Sequence, residues 1–242
     1  MQTTNGLFNN QANISGRIAS EFIWSHEVYG EGFYNFTIEI PRLSDAVDLI
    51  PATVSERLID KDRLPVGTYV VISGQIRSYN NFVAADQKNK LMLTLFVREL
   101  ATEPNGPPSG GKSPNEVFLN GYICRSPVYR TTPLGREIAD ILIAVNRSYN
   151  KSDYIPCIAW GRNARFAEKL AVSDNIMLWG RMQSRKYQKR LETGEVLEKT
   201  AYEISISKIE QGGKDTAAKD EASPQKAGGV LKGNAVDTEV QK

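Results

Sequence analysis

The sequence predicts an all-β chain with short helices, in which two barrels follow one another. Three observations support this fold class: the chain contains an internal duplication, each copy has apolar residues alternating as in β-strands, and a short helical pattern interrupts the strands. A chain of 242 residues can hold two domains of ordinary size.

The duplication appears when the chain is shifted by 105 positions. Ten identical residues then align without a gap between residues 10–57 and 115–162, and with one inserted residue Gly74 also aligns with Gly180. The apolar pattern coincides as well, which indicates two copies of one domain. The ten pairs are Asn10–Asn115, Gly16–Gly121, Ile18–Ile123, Gly30–Gly135, Ile38–Ile143, Arg42–Arg147, Asp48–Asp153, Ile50–Ile155, Pro51–Pro156 and Arg57–Arg162.

The second copy shows the order of its elements clearly. Period-two alternation predicts three strands, helical spacing predicts a helix over Arg162–Ala171, and two long strands follow around a polar hairpin tip. Three strands, a helix and two strands form the five-stranded Greek-key barrel known as the OB fold. The first copy repeats this order, with its helix replaced or shortened around Glu56–Asp62. The five strands of the second copy are predicted at Val117–Ile123, Ile138–Asn146, Asp153–Trp160, Asn175–Tyr187 and Val196–Ile209.

Composition places the domain boundaries. Residues 8–103 form the first OB domain and residues 115–211 the second, separated by a linker over 104–114 that is rich in Pro, Gly and Ser. Residues 212–242 contain no aromatic residue and few large apolar ones, so they are predicted to form a disordered tail.

Charge is distributed unevenly between the two copies. Residues 1–104 carry 9 basic and 12 acidic side chains, whereas residues 115–211 carry 15 basic and 11 acidic ones. An anionic ligand is therefore expected to prefer the second domain. The alternative is that these charges are ordinary solvated surface charges with no ligand.

Aromatic and basic side chains share one face of the second copy. Alternation places Ile155, Cys157 and Ala159 in the barrel interior and Tyr154, Pro156, Ile158 and Trp160 outside. On the next strand Trp179, Arg181, Gln183, Arg185 and Tyr187 share the face opposite the interior. Rings that stack on unpaired bases beside cations that neutralise phosphates are typical of single-strand binding. Exposed rings are also enriched at protein interfaces, so for Trp179 both base stacking and a protein contact remain open.

These residues resemble the bacterial and phage single-stranded DNA-binding proteins. The resemblance covers nearly the whole second copy. It rests on segments 115–121, 127–135, 143–147, 153–162 and 180–187, which include Asp-Tyr-Ile-Pro-Cys-Ile-Ala-Trp-Gly-Arg from Asp153. It implies stacking of DNA bases on Tyr149, Tyr154, Trp160 and Tyr187, to which we add Trp179. Phosphate contacts are expected from Arg147, Arg181, Arg185 and Lys186.

The first copy has lost most of these rings. Ser44, Leu49 and Ser55 stand at the positions of Tyr149, Tyr154 and Trp160. The contacts that survive are Arg42, Arg77 and Tyr79, so the first domain is expected to bind DNA more weakly or to serve in assembly.

Other functional classes lack support in the sequence. Cys124 and Cys157 have no partners at zinc-ligand spacing, no phosphate-binding loop occurs, and carboxylates such as Asp48 and Asp153 do not cluster as a two-metal site requires. We therefore expect no enzyme activity, metal or cofactor. No run of about 20 apolar residues and no secretory signal is present, so we expect no membrane association and a cytoplasmic, nucleoid-associated protein.

The expected function is sequence-independent binding and protection of single-stranded DNA in replication, recombination and repair. An RNA-binding OB protein and a protein-interaction subunit are the alternatives. Because the family typically assembles four barrels, two barrels per chain imply a homodimer. Family members commonly recruit replication and repair proteins through an acidic tip ending in Pro-Phe, whereas this chain ends in Asp237-Thr238-Glu239-Val240-Gln241-Lys242.

Overall fold

The computed structural model describes residues 8–42, 44, 46–60, 64–83, 88–104, 106–107, 115–148, 150–190 and 196–212. The predicted linker lies mostly outside these residues, and so does the predicted tail apart from Gly212. Within the described residues the chain consists almost entirely of strands, as its alternating apolar pattern predicts.

Within the described ranges, each half of the chain contributes six strands. In the first half they are β1 (Asn10–Ile18), β2 (Ile23–Val28), β3 (Glu31–Pro41), β4 (Val47–Ser55), β5 (Tyr69–Val83) and β6 (Lys88–Thr102), with a 3₁₀ turn at Glu56–Leu58. In the second half they are β7 (Asn115–Ile123), β8 (Val128–Thr131), β9 (Glu137–Asn146), β10 (Ser152–Trp160), β11 (Asn175–Arg190) and β12 (Val196–Gln211), with helix α1 at Arg162–Ala167.

Five strands of each half close into a barrel. The first closes in the order β1, β5, β6, β4, β3 and back to β1, and the second in the order β7, β11, β12, β10, β9 and back to β7. The short strands β2 and β8 pair only with β3 and β9, outside the ring. The pairings of β4 with β6 and of β10 with β12 are parallel, and the others are antiparallel. This arrangement confirms the predicted pair of five-stranded OB barrels.

The helical elements also follow the sequence pattern. The helix of the second barrel, α1, covers six residues rather than the ten predicted, and it buries Ala164 and Ala167. Among the described residues of the first barrel, this place holds a 3₁₀ turn, in which Ser55 accepts a hydrogen bond from the Arg57 N–H. No helix in the described ranges is long and apolar enough to span a bilayer.

Alternate residues of the strands fill the barrel interiors. Ile38 and Ile50 of the first barrel and the matching Ile143 and Ile155 of the second are all fully buried. Burying each such side chain stabilises the fold by about 1.5–3 kcal/mol before the entropy of ordering it is subtracted. The duplicated isoleucines are therefore matching parts of two equivalent cores.

Gly16 of β1 and Gly121 of β7 each lie where a neighbouring backbone approaches closely. A Cβ on Gly16 would lie 2.3 Å from the Glu39 carbonyl oxygen, and one on Gly121 would lie 2.5 Å from that of Ala144. No side chain fits such an approach of two backbones, which explains why both copies have glycine here.

The two barrels share one continuous sheet of twelve strands because β1 pairs antiparallel with β7. The register joins Asn10 to Leu119 and Ile14 to Asn115. The 105-residue shift matches Asn10 with Asn115 and Ile14 with Leu119, so the two pairs exchange under a pseudo-two-fold rotation. Each asparagine side chain also forms two hydrogen bonds with the backbone of one residue in a neighbouring strand. Asn10 binds the N–H and carbonyl of Ile76, and Asn115 binds those of Met182.

Two buried carboxylates bind across the joint between the barrels. Asp48 of the first barrel, 1% exposed, accepts hydrogen bonds from Arg42 and from the Ser184 N–H of the second barrel at 2.7 Å. Asp153 of the second barrel, fully buried, accepts in the same way from Arg147 and from the Ser78 N–H of the first barrel at 2.5 Å.

The arginines complete these two networks, which we call the reciprocal clamp. Arg42 donates to the Ser184 carbonyl at 2.8 Å, and Arg147 donates to the Ser78 carbonyl at 3.0 Å. Asp153 has an additional partner in Arg77, at 3.0 Å. Asp48 and Asp153 are thus hydrogen-bonding groups, and each one links both barrels.

Replacing Asp153 by alanine should destabilise the chain, because it removes the carboxylate that Arg77 and Arg147 share and leaves the Ser78 N–H without its acceptor. We expect a loss of roughly 2–4 kcal/mol in the free energy of unfolding, somewhat less than for a fully buried pair, since the two guanidiniums are 21% and 27% exposed. Urea unfolding measures this loss.

Asp140→Ala is the matched control, because Asp140 pairs with Arg130 at 3.0 Å in an exposed position. Its cost should stay below about 1 kcal/mol. Equal losses in the two variants would contradict a stabilising role for the clamp.

Candidate nucleic-acid interface

Strand β10 separates a buried face from an exposed one. Ile155, Cys157 and Ala159 point into the core, whereas Tyr154 is 48% exposed and Trp160 is 39% exposed on the outer face. Ile158 was predicted to be exposed on this same face, but this prediction is wrong, since only 4% of the residue is accessible. Ile158 lies in mid-strand, flanked by Asp140 on β9 and Ser205 on β12, which explains its burial.

Strand pairing places basic side chains on the face that carries Tyr154 and Trp160. Ile158 is beside Ser205 of β12, and Ser205 is opposite Arg181 of β11. Arg185 and Tyr187 follow on the same face because alternate residues of a strand point the same way. Arg181 is exposed and forms no ion pair with any side chain of the described ranges. The outer face of the second barrel therefore combines two exposed rings with a free guanidinium.

Arg185 is held more firmly than Arg181. Its Nε lies 3.4 Å from an oxygen of Glu203, which is 7% exposed and also accepts a hydrogen bond from Gln183 at 2.9 Å. The guanidinium carbon of Arg185 lies 5.9 Å from the centre of the Tyr187 ring, which is half-buried. This contact orients Tyr187 at the outer end of the face.

Two predicted contacts lie away from this group. Lys186 points to the opposite side of β11 from Arg185 and pairs with Glu198 at 2.9 Å. Trp179 lies next to β7, 5.1 Å from the Phe118 ring and with the Lys208 ammonium 4.4 Å from its own ring centre. Neither residue is brought beside Tyr154 or Trp160 by the strand pairing.

The arginines predicted from both copies take part in the reciprocal clamp. Arg147, Arg42 and Arg77 each bind a buried carboxylate, so much of their charge is already compensated within the protein. The hydrogen bond to Asp48 raises the pKa of Arg42 above its usual value, whereas burial lowers that of Arg77. Tyr149 lies outside the described residues.

The equivalent positions of the first barrel differ, as the sequence indicates. Leu49 is 43% exposed and Ser55 is buried, so no ring occupies these places, while Tyr79 is 46% exposed. Sequence reasoning missed Phe96 and Arg98 of β6, which also lie on the outer face of this barrel. Their period-two spacing on a strand was the signal that could have identified them.

The described residues hold no group of three or more His, Cys, Asp or Glu side chains that could bind a metal ion. Cys157 is 3% exposed, and burial raises the pKa of its thiol far above the usual value. Burial also raises the pKa of Cys124, so neither cysteine is a reactive thiolate at neutral pH.

Comparison with known proteins places the second barrel in a family. Residues 114–211 match the model of the "Single-strand binding protein family". The single-stranded DNA-binding protein of Oceanobacillus iheyensis is 32% identical over 113 residues, which cover 43% of this chain and 70% of the relative. That of Bacillus cereus is 30% identical over 125 residues, or 47% of this chain and 72% of the relative.

Other relatives match over shorter stretches. The single-stranded DNA-binding protein 1 of Staphylococcus aureus is 33% identical over 81 residues, which are 31% of this chain and 48% of the relative. The chain thus spans about half the length of this relative.

A solved structure resembles the whole two-barrel arrangement. The wild-type single-stranded DNA-binding protein of Thermus aquaticus superposes with a TM-score of 0.66, covering 87% of this chain and 96% of the other at 16% identity. At this identity the likeness concerns the fold alone. The sequence matches, together with the OB barrels, show that the chain belongs to the single-strand binding protein family.

Proposed function

We propose that this protein binds single-stranded DNA without sequence preference and acts as a binding protein rather than an enzyme. The observation that carries the proposal is the pair of exposed rings, Tyr154 and Trp160, on the face of an OB barrel that also presents Arg181. An unpaired base offers a π-face whatever its identity, so stacking tolerates any sequence. Cations beside the rings add affinity through phosphate contacts.

The described residues divide these roles among them. Tyr154 and Trp160 stack bases, and Tyr187 extends the row where Arg185 holds it. Arg181 contacts phosphate directly, while Arg185 does so from its ion pair with Glu203. Such a protein coats and protects strands exposed during replication, recombination and repair, in the cytoplasm where the chromosome lies.

The double variant Tyr154→Ala/Trp160→Ala should bind oligo(dT) much more weakly than the unmodified chain. Each lost stacking contact costs about 1–3 kcal/mol, and each ~1.4 kcal/mol weakens binding tenfold. Fluorescence anisotropy of a labelled oligonucleotide measures the affinity.

A matched control removes an exposed ring elsewhere. Phe8→Ala removes a ring that is 66% exposed and precedes β1. The control should bind as the unmodified chain does. Equal affinities of the control and the double variant would refute the stacking role.

Tryptophan emission should report the contact directly. The chain has three tryptophans, so Trp24→Phe and Trp179→Phe leave Trp160 as the only emitter. Oligo(dT) should quench its fluorescence, and the affinity should fall with salt with a log–log slope of about −0.7 per phosphate neutralised. If duplex DNA quenched the emission as strongly as oligo(dT) at equal concentration, single-strand binding would be contradicted. If an RNA oligonucleotide of matched sequence bound more tightly than the DNA, an RNA-binding role would be favoured.

We also propose that two chains associate into a four-barrel homodimer. The first hairpin favours a protein contact, because Ile23, Trp24 and Tyr29 are 66%, 52% and 103% exposed there. Light scattering should then give twice the 26.9 kDa mass of one chain. A concentration-independent mass of one chain would contradict the dimer.

A further inference from the structure

Glu203 is a buried acid in the middle of the face on which we propose that DNA bases stack. Strand pairing sets it opposite Gln183 of β11, and the parallel register of β12 with β10, continued by one residue, brings it beside Pro156. Because paired residues of neighbouring strands point to the same side of a sheet, Glu203 shares the side of Tyr154 and Arg185. Only 7% of Glu203 is exposed, so its carboxylate lies beneath this face, between β10 and β11.

The Glu203 side chain binds two neighbours on β11. One of its oxygens accepts a hydrogen bond from the Gln183 side-chain amide at 2.9 Å and lies 3.4 Å from the Nε of Arg185. The Arg185 side chain is half exposed, so its guanidinium reaches the solvent while its charge is compensated from below. The charge of Glu203 also acts across the joint between the barrels, because it adds to the hydrogen bond with Asp48 that raises the pKa of Arg42.

This carboxylate is unfavourable in two ways. Burying a charge costs free energy that an ion pair offsets only when its geometry is good, and the 3.4 Å contact with Arg185 is long. A negative charge beneath a face that binds phosphates also repels them, and a buried charge is screened less by salt than an exposed one.

The OB fold does not require an acid at this place. The matching position of the first barrel holds Thr94, as the equivalent pairings of β4 with β6 and of β10 with β12 show. There the Thr94 hydroxyl forms a hydrogen bond with the Thr53 hydroxyl at 2.9 Å, so a neutral polar pair fills the space. An unfavourable group that the fold does not need indicates a functional role.

We propose that Glu203 sets the affinity of the stacking face, because its charge compensates Arg185 and so weakens phosphate binding there. The proposal rests on the proposed function. Bases stack on Tyr154 and Trp160, whereas the phosphate beside Arg185 meets a guanidinium whose charge is already shared. Single-stranded DNA is then bound less tightly, and with a weaker dependence on salt, than the cations of this face alone would give. A moderate affinity lets the protein leave a strand that is being copied or paired.

Glu203→Gln in the full chain tests this role. Glutamine has the same length, and its side-chain oxygen still accepts hydrogen bonds from Gln183 and Arg185, so the change removes the charge alone. The variant should bind oligo(dT) about three- to tenfold more tightly than the unmodified chain at low salt. Its log–log salt slope should become steeper by about 0.7, which corresponds to one more neutralised phosphate. Fluorescence anisotropy over a series of salt concentrations measures both quantities.

Glu198→Gln is the matched control. It removes one negative charge from the same strand and also frees a cation, because Glu198 pairs with Lys186 at 2.9 Å on the opposite side of β11 from Arg185. This control should keep the affinity and the slope of the unmodified chain. Glu203→Asp should keep the slope as well, since it shortens the side chain but retains the charge.

Two further variants connect the effect to Arg185 and guard against misfolding. Arg185→Ala/Glu203→Gln removes both charges of the pair, so it should return the slope to about that of the unmodified chain. Glu203→Thr introduces the residue of the first barrel and should steepen the slope as Glu203→Gln does. Thermal unfolding of each variant shows which of them are folded, and affinities are compared among the folded ones.

The outcomes separate this proposal from the proposed function. If the unmodified chain fails to bind oligo(dT), the proposed function is wrong. If it binds, and the folded neutral variants of Glu203 bind equally or more weakly with an unchanged slope, the role of Glu203 alone is overturned. The same holds if Glu198→Gln or Glu203→Asp shows the same gain, because net charge or altered geometry would then be the cause. Tighter binding with a steeper slope in the neutral variants, and in neither control, supports the proposal.

Discussion

The antiparallel pairing of β1 with β7 is the constraint on which the rest of the molecule depends. A strand has two hydrogen-bonding edges, and β1 gives one of them to β5. Its other edge is divided: Asn10–Ile14 pair with β7 of the other barrel, and Arg17–Ile18 pair with β3 to close their own barrel. Gly16 lies where the edge passes from one barrel to the other, and Gly121 has the same place in β7.

This pairing explains the reciprocal clamp and the position of the binding surfaces. Once the barrels share a sheet, the first residues of β4 meet β11 of the other barrel, and the first residues of β10 meet β5. Asp48 and Asp153 then find backbone partners in Ser184 and Ser78, and both copies retain the arginine that neutralises the buried carboxylate. The joint is symmetric because both copies need it, whereas the outer faces are free to diverge. The two outer faces differ at matching positions: the second barrel has Trp160 where the first has Ser55, and Glu203 where the first has Thr94.

The sequence alone predicted the architecture well. The duplication follows from residue identities at a fixed shift of 105 positions. The five strands of each barrel and the exposure of Tyr154 and Trp160 follow from periodicity, which is a local property. The burial of Ile158 was missed because it depends on neighbours from β9 and β12 that a single strand does not display.

The arginines illustrate the same limit. Arg42 and Arg147 were predicted as phosphate contacts, yet their guanidiniums bind Asp48 and Asp153, six residues further along the chain. Their recurrence with these acids in both copies was the available signal, because a charge pair preserved at the same spacing can be an internal ion pair.

The central claim is that bases lie against the outer face of β10. Ultraviolet crosslinking of oligo(dT) to the full chain, followed by mass spectrometry of the crosslinked peptides, tests this claim most directly. The account predicts adducts on Tyr154 and Trp160. Adducts confined to Trp24 and Tyr29 of the first hairpin would contradict it.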